Sequence, residues 1–153
     1  MKYNIPGQEP FEINTLILDL NGTLSVGGVV PEGVKERLDT VQELGFQVVF
    51  FTGNTRNDAD ELATQLGIEW KLAQTAEDKR DLAVEIGADT CVSIGNGLID
   101  LELTKTVRLS IVTLQAEGVH TQTLLAADIV VPSINDALDL FIDSNRLIAT
   151  MRR

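Results

Sequence analysis

The 153-residue chain predicts an α/β fold: a three-layer, Rossmann-like, doubly wound parallel sheet in a single domain. Three observations carry this. Strand-like and helical segments alternate along the whole length. The strand-like runs are continuously apolar, as in Leu16-Ile-Leu and Gln47-Val-Val-Phe-Phe-Thr, which is the pattern of strands covered on both faces. Three helical segments stop just before a glycine, at Gly45, Gly67 and Gly87.

Residues 1–12 form an N-terminal extension. Ile13–Asp19 reads as a buried strand and Val26–Val30 as a short flap-like strand after a turn. Pro31–Leu44 is helical, with Pro31 near the first turn. Gln47–Thr52 is a second buried strand, Asn57–Leu66 a helix, and Glu69–Leu72 a short strand. Ala76–Ile86 is a helix and Thr90–Ile94 a strand. Leu98–Thr104 is a short helix, Val107–Thr113 a strand, Thr121–Ala126 a helix, and Asp128–Val131 a last short strand. Ile134–Phe141 is a helix, and 143–153 a basic C-terminal tail, solvated or pairing with the acidic body or a second subunit.

Composition narrows the function. Hydrophobic residues make up 44% of the chain and charged ones 23%, enough apolar material for a real core. Twelve Lys and Arg against 23 Asp and Glu give a net charge of −11. Such a surface repels phosphate backbones and anionic lipid, so no nucleic-acid or membrane partner is expected. No apolar stretch approaches the ~18 residues of a membrane span, and the N-terminus lacks an apolar signal core. The single cysteine, Cys91, lies in an apolar run and reads as a buried, inert thiol. A cytoplasmic protein is expected.

In doubly wound sheets, ligands bind at the carboxyl ends of the strands. The first strand ends in Asp19-Leu-Asn-Gly-Thr: Asp19 can present its carboxylate at the sheet edge while the amides of the turn face an anion. The second ends in Thr52-Gly-Asn, a small hydroxyl beside flexible backbone, suited to a phosphate oxygen. Lys79 starts a helix where it can offset phosphate charge. The fourth runs into Gly95-Asn-Gly-Leu-Ile-Asp, whose Asn96 and Asp100 offer oxygen to a hard cation. Each residue alone has a plainer explanation, as turn former, strand-end hydroxyl, solvated charge or left-handed asparagine. Their order along the chain favours the joint reading. His120, the only histidine, reads as surface or helix start, and Trp70 as packing; Lys105 and Arg108 follow the last motif and carry little weight.

These four segments resemble, in order, the four motifs of the haloacid dehalogenase superfamily. The chain is most similar to its soluble P-type-ATPase-like group, a likeness running from about Thr15 to the C-terminus. The resemblance implies that Asp19 is a nucleophile forming an aspartyl-phosphate. It implies that Thr52 and Lys79 hold the phosphoryl oxygens, with Leu20, Gly22, Thr23, Gly53 and Asn54 lining the substrate, and that Asp19, the Asn21 carbonyl, Asn96 and Asp100 place magnesium. The substrate implied is a small phosphorylated compound, or a macromolecular one, because no stretch between motifs holds a cap domain. An open site also suits closure by a neighbouring subunit, hence a homo-oligomer.

Two departures bear on activity. Phosphatases of the superfamily carry a second aspartate, the general acid and base, where this chain has Asn21; help of that kind is typically worth ~10²–10⁴-fold. Ile99 stands where a polar Asn is usual, and Asn96 where many members have Asp. Slow hydrolysis or a long-lived phosphoenzyme is expected. The alternative is a catalytically silent protein that binds phosphate, metal or a protein partner. A response-regulator-type receiver fits poorly, since it needs an acidic pair at the end of the first strand. No phosphate-loop pattern accompanies the likeness to ATPases.

Overall fold

A computed structural model describes all residues, 1–153. Two short strands, β1 (Lys2–Tyr3) and β2 (Phe11–Glu12), form an antiparallel ribbon. Six further strands form one parallel sheet: β3 (Thr15–Asp19), β4 (Gln47–Thr52), β5 (Glu69–Leu72), β6 (Cys91–Gly95), β7 (Leu109–Thr113) and β8 (Ile129–Val131). Their spatial order is β5-β4-β3-β6-β7-β8. Strand order therefore reverses between β3 and β6, and the crevice for a ligand opens at the carboxyl ends of those two neighbours.

Alternation along the strands divides the core. Leu16 and Leu18 of β3, with Val48 and Phe50 of β4, join the larger cluster under α1 (Val34–Glu43), α2 (Ala59–Leu66) and α6 (Ile134–Ile142). Ile17, Val49 and Phe51 face the other way, packing with Ala83 of α3 (Ala76–Ile86) and Leu103 of α4 (Leu101–Thr106). Side chains alternate with a period of two, so Asp19 leaves β3 on the side of Ile17, the side that α3 covers. The helix α5 (Thr121–Ala126) follows β7. No helix is long and apolar enough to cross a membrane.

The α/β reading holds, and β4, β5, α3 and α5 keep their expected bounds. Other bounds shift for identifiable reasons. The first helix starts at Val34 rather than Pro31, because Gly33 before it is left-handed at φ 88°. The second starts at Ala59 rather than Asn57, whose φ of 54° is incompatible with a helix. The flap is not a strand but a tight turn closed by Val26 and Val29, with Gly27 and Gly28 both at positive φ, 59° and 82°. The expected strand from Ile13 begins two residues later, since the Ile13 and Asn14 amides bond to Met1 and Thr90 outside the sheet.

The larger correction is at the C-terminus. Residues 143–153 are not a loose tail: Ser144–Met151 is a helix, α7, and, as one of the expected alternatives had it, Arg146 pairs with the acidic body, 3.7 Å from Asp139. The Asp143 side chain caps it by accepting from the Asn145 amide, Leu147 is buried, and Ile148 and Met151 pack against the core. The N-terminal residues are anchored too, by buried Tyr3 stacked on Phe11 at 5.6 Å and by Arg108 4.5 Å above the Phe11 ring.

Candidate active site

The site begins with helix α3. Thr75 accepts from the Asp78 amide while the Asp78 carboxylate accepts from the Thr75 amide, a reciprocal cap that fixes the first turn. That turn directs Lys79 under the sheet edge, where it is 1% exposed. Its Nζ donates to Asp19 Oδ1 at 2.6 Å and to Asp100 Oδ1 at 2.7 Å. Asp100 is held in turn by the Asn96 and Gly97 amides, both 3.0 Å from its Oδ2. The carboxylate folds so closely over β6 that a Cβ on Gly95 would stand 2.6 Å from Asp100 Cγ, so only glycine fits there.

Two buried carboxylates thus share one ammonium. For Asp19, burial is the largest influence and the charge of Asp100 the next; together they outweigh Lys79 and push the carboxyl up to about 7. Burial alone would lower Lys79, but Asp100 and Asp19 outweigh it, so the side chain is raised and stays an ammonium. When both carboxylates are ionised, the single ammonium leaves one of their negative charges unmatched. Hard oxygen donors with a surplus negative charge fit magnesium, and an anionic phosphate would need such a cation to enter. No three His, Cys, Asp or Glu side chains converge, so further ligands would have to come from main-chain or amide oxygens.

The remaining expected residues fall into two groups. Thr52 Oγ1 accepts from the Asn54 amide at 3.0 Å, which leaves its hydroxyl hydrogen free to donate. Asn54, at φ 53°, also accepts from the Ala59 amide and ties the loop after Gly53 to α2. Asn96 turns inward: its Oδ1 accepts from Thr23 Oγ1 at 3.2 Å and its Nδ2 donates to the Gly118 carbonyl, so only the second lone pair of Oδ1 is left for a cation. The amides of Gly22 and Thr23 bond to Ser25 and Leu20 within their own loop and do not face an anion; those of Leu20 and Asn21 lie outside these bonds. The Leu20 amide bonds to the Asp19 carboxylate. Asn21 is exposed.

One residue that sequence reasoning passed over braces the nucleophile loop. Gln115 Nε2 donates to the carbonyls of Gly22 at 3.0 Å and Thr23 at 2.9 Å, while its Oε1 accepts from the Ile134 amide at 2.7 Å. Thr113 Oγ1 adds a bond to the Gly22 carbonyl, and the His120 amide donates to the Asn96 carbonyl. The loop after β7 therefore locks the loops after β3 and β6 together. The only sequence signal was its place just past a strand end. A recess of about 760 Å³ lies at the opposite edge, near the amino ends of β3 and β4, away from Asp19.

No protein-family model matches the chain. A stretch of 61 residues is 49% identical to an uncharacterized protein of Methanocaldococcus jannaschii, over 40% of this chain and 66% of that one. A soluble P-type ATPase-like phosphatase of the same organism is 26% identical over 133 residues, 84% of this chain; the match spans about half of that relative, 49%. Among solved structures, 3-deoxy-D-manno-octulosonate 8-phosphate phosphatase of Moraxella catarrhalis, in complex with magnesium, phosphate and its sugar acid, superposes with a TM-score of 0.70 at 20% identity, covering 92% of this chain and 94% of that one. The cobalt-bound Haemophilus influenzae phosphatase of the same substrate gives 0.72 at 16% identity, covering 93% and 94%. A Legionella pneumophila protein described as a haloacid dehalogenase superfamily hydrolase gives 0.70 at 22% identity, covering 90% and 86%. The fold is the haloacid dehalogenase one, as the order of the motifs implies.

Proposed function

We propose that this chain, which has the haloacid dehalogenase fold, is a magnesium-dependent phosphatase or phosphotransferase working through an aspartyl-phosphate on Asp19. One observation carries the reading: a buried carboxylate at the end of the central strand lies 2.6 Å from a buried ammonium that also binds a second carboxylate. Likeness to phosphatases, one of them with magnesium and phosphate bound, supports it. Magnesium would be held by Asp19, Asp100 and the Asn21 carbonyl, with Asn96 beside them; when bound it draws charge off the phosphoryl oxygens.

An Asp19 oxygen forms a bond to phosphorus as the bond from phosphorus to the leaving oxygen breaks. The leaving group takes that electron pair and a proton from water, because Asn21 has no acidic proton to give. Lys79 offsets the charge on the equatorial oxygens and the Thr52 hydroxyl donates to one of them. Water then attacks phosphorus, the bond to Asp19 breaks, and orthophosphate leaves. Without a carboxylate at position 21 to activate that water, the second step is the slow one.

The substrate is a small phosphorylated compound, or a larger one reaching the uncapped edge. Val29, 68% exposed at the flap, and Leu98, 52% exposed beside the last motif, also suit cover by a second copy; a monomeric mass in solution scattering would remove that idea. Phosphate release from esters, nucleotides and acyl phosphates, with magnesium or chelator, tests the function beside Asp19→Asn. Metal-dependent release lost in the variant supports it. Ligand binding without turnover favours the silent alternative, for which Asn21 is the main argument.

A further inference from the structure

The roles proposed above for Asp19, Thr52 and Lys79 concern the phosphoryl group alone. Four residues beyond Thr52, on the loop joining β4 to α2, stands Arg56. The loop is held in place: Asn54 and Asn57 take left-handed conformations at φ 53° and 54°, and the Asn57 amide donates to the Asn54 carbonyl at 3.0 Å. From there the Arg56 side chain crosses to the flap after Asp19. Its Nη1 lies only 2.0 Å from where a Cβ on Gly28 would stand, so the glycine makes room for the guanidinium. Arg56, an exposed side chain, thereby reaches from the loop after β4 to the flap that follows β3.

Its charge has no partner. Six of the twelve Lys and Arg pair with carboxylates; Arg56, like Lys2, Lys71, Arg108, Arg152 and Arg153, has none within 4.0 Å, and of these Arg56 stands on a loop that leaves the carboxyl end of a sheet strand. A guanidinium offers a planar fork of donors matched to carboxylate and phosphate. Building on the proposed phosphotransfer, we infer that Arg56 binds a second anionic group of the substrate, on the leaving-group side. The substrate class is then phosphate esters and anhydrides that carry a further carboxylate or phosphate.

The test measures binding, so it stands whether or not the protein turns over. Calorimetry in excess magnesium compares pyrophosphate, phosphoglycolate and phenyl phosphate on Asp19→Asn protein, with and without Arg56→Ala or Arg56→Lys. The doubly anionic probes bind about tenfold more tightly than phenyl phosphate, which corresponds to one good charged contact. Arg56→Ala abolishes that ratio and Arg56→Lys restores part of it. The stronger of pyrophosphate and phosphoglycolate identifies the second anion as phosphate or carboxylate. An equal loss on all three probes, an unaltered ratio, or no preference before mutation makes Arg56 a solvated surface arginine and overturns the inference. Phosphate release and a phosphoryl adduct on Asp19 are measured in parallel on the unmutated protein: the absence of both, with the ratio intact, refutes the phosphotransfer reading and leaves Arg56 as an anion-binding residue.

Discussion

Replacing Lys79 by methionine keeps most of the side chain's volume and removes the ammonium from between Asp19 and Asp100. Both carboxylates stay, with side chains 10% and 1% exposed, 2.6 and 2.7 Å from where Nζ stood. Breaking a buried pair by removing one partner costs about 3–5 kcal/mol, because the remaining charge is left without compensation. For a domain of this length each kcal/mol lowers Tm by about 3 °C, so the variant should melt about 9–15 °C lower in chelator at pH 8. The sign of the pH dependence follows from Asp19. Its carboxyl is already pushed up to about 7 by burial and by Asp100, and losing Lys79 raises it further. A group raised on folding stabilises below its unfolded pKa, and that contribution disappears as pH rises through the folded value. The penalty of Lys79→Met is therefore smaller at pH 5.5 than at pH 8. Magnesium, by supplying positive charge to the same carboxylates, should recover part of the loss. The assay is thermal unfolding by circular dichroism at both pH values, with chelator and with magnesium, and Asp19→Asn/Lys79→Met closes a double-mutant cycle. A Tm within about 2 °C of the parent at pH 8 would refute the claim that this ammonium compensates two dry carboxylates.

Asn21→Asp restores an acid and base beside the nucleophile and should raise the rate of phosphate release by about 10² or more; an unaltered rate would mean another step limits turnover. Gln115→Ala removes three hydrogen bonds between the loop after β7, the nucleophile loop and α6, and should cost about 2–3 kcal/mol in urea unfolding. Gln115→Glu, though similar in size, cannot donate to the two carbonyls and should be no milder, so recovery in Gln115→Glu would contradict the bracing role. Burial pushes the Cys91 thiol up to about 11. Alkylation by iodoacetamide at pH 8 should therefore be slower in native than in denatured protein by at least about 10²-fold, and comparable rates would contradict the burial.

Most of the sheet was readable because its inner strands are short apolar runs bounded by turn residues: Gln47–Thr52 begins and ends where hydropathy says, and the edge strand Glu69–Leu72 keeps its expected bounds. The placement of Asp19, Thr52, Lys79, Asn96 and Asp100, though not their roles, was readable because it follows from where strands end and helices start. What failed was local conformation and anything made across the fold. Asn57 looks helical from its neighbours, but its backbone is left-handed. The arginines of the C-terminal segment suggest a tail, solvated or paired with acidic groups; Arg146 does pair with Asp139, but Leu147, Ile148 and Met151 bury the apolar side of a helix, α7, that the charges had masked. Gly22 and Thr23 look like free anion-binding amides until their loop closes on itself. Gln115 and Arg56 carry no motif; each gains its meaning from a loop more than 25 residues away in sequence that only the folded sheet brings beside it.

The most direct measurement is a search for the phosphoenzyme. The protein is incubated with acetyl phosphate and magnesium, quenched in acid, digested and analysed by mass spectrometry, beside Asp19→Asn and a chelator control. The account predicts the added mass of one phosphoryl group on the peptide containing Asp19, dependent on magnesium, absent from the variant, and longer-lived than in Asn21→Asp. Phosphate released under magnesium with no adduct on Asp19 at any quench time, or an adduct that persists in Asp19→Asn, would contradict it.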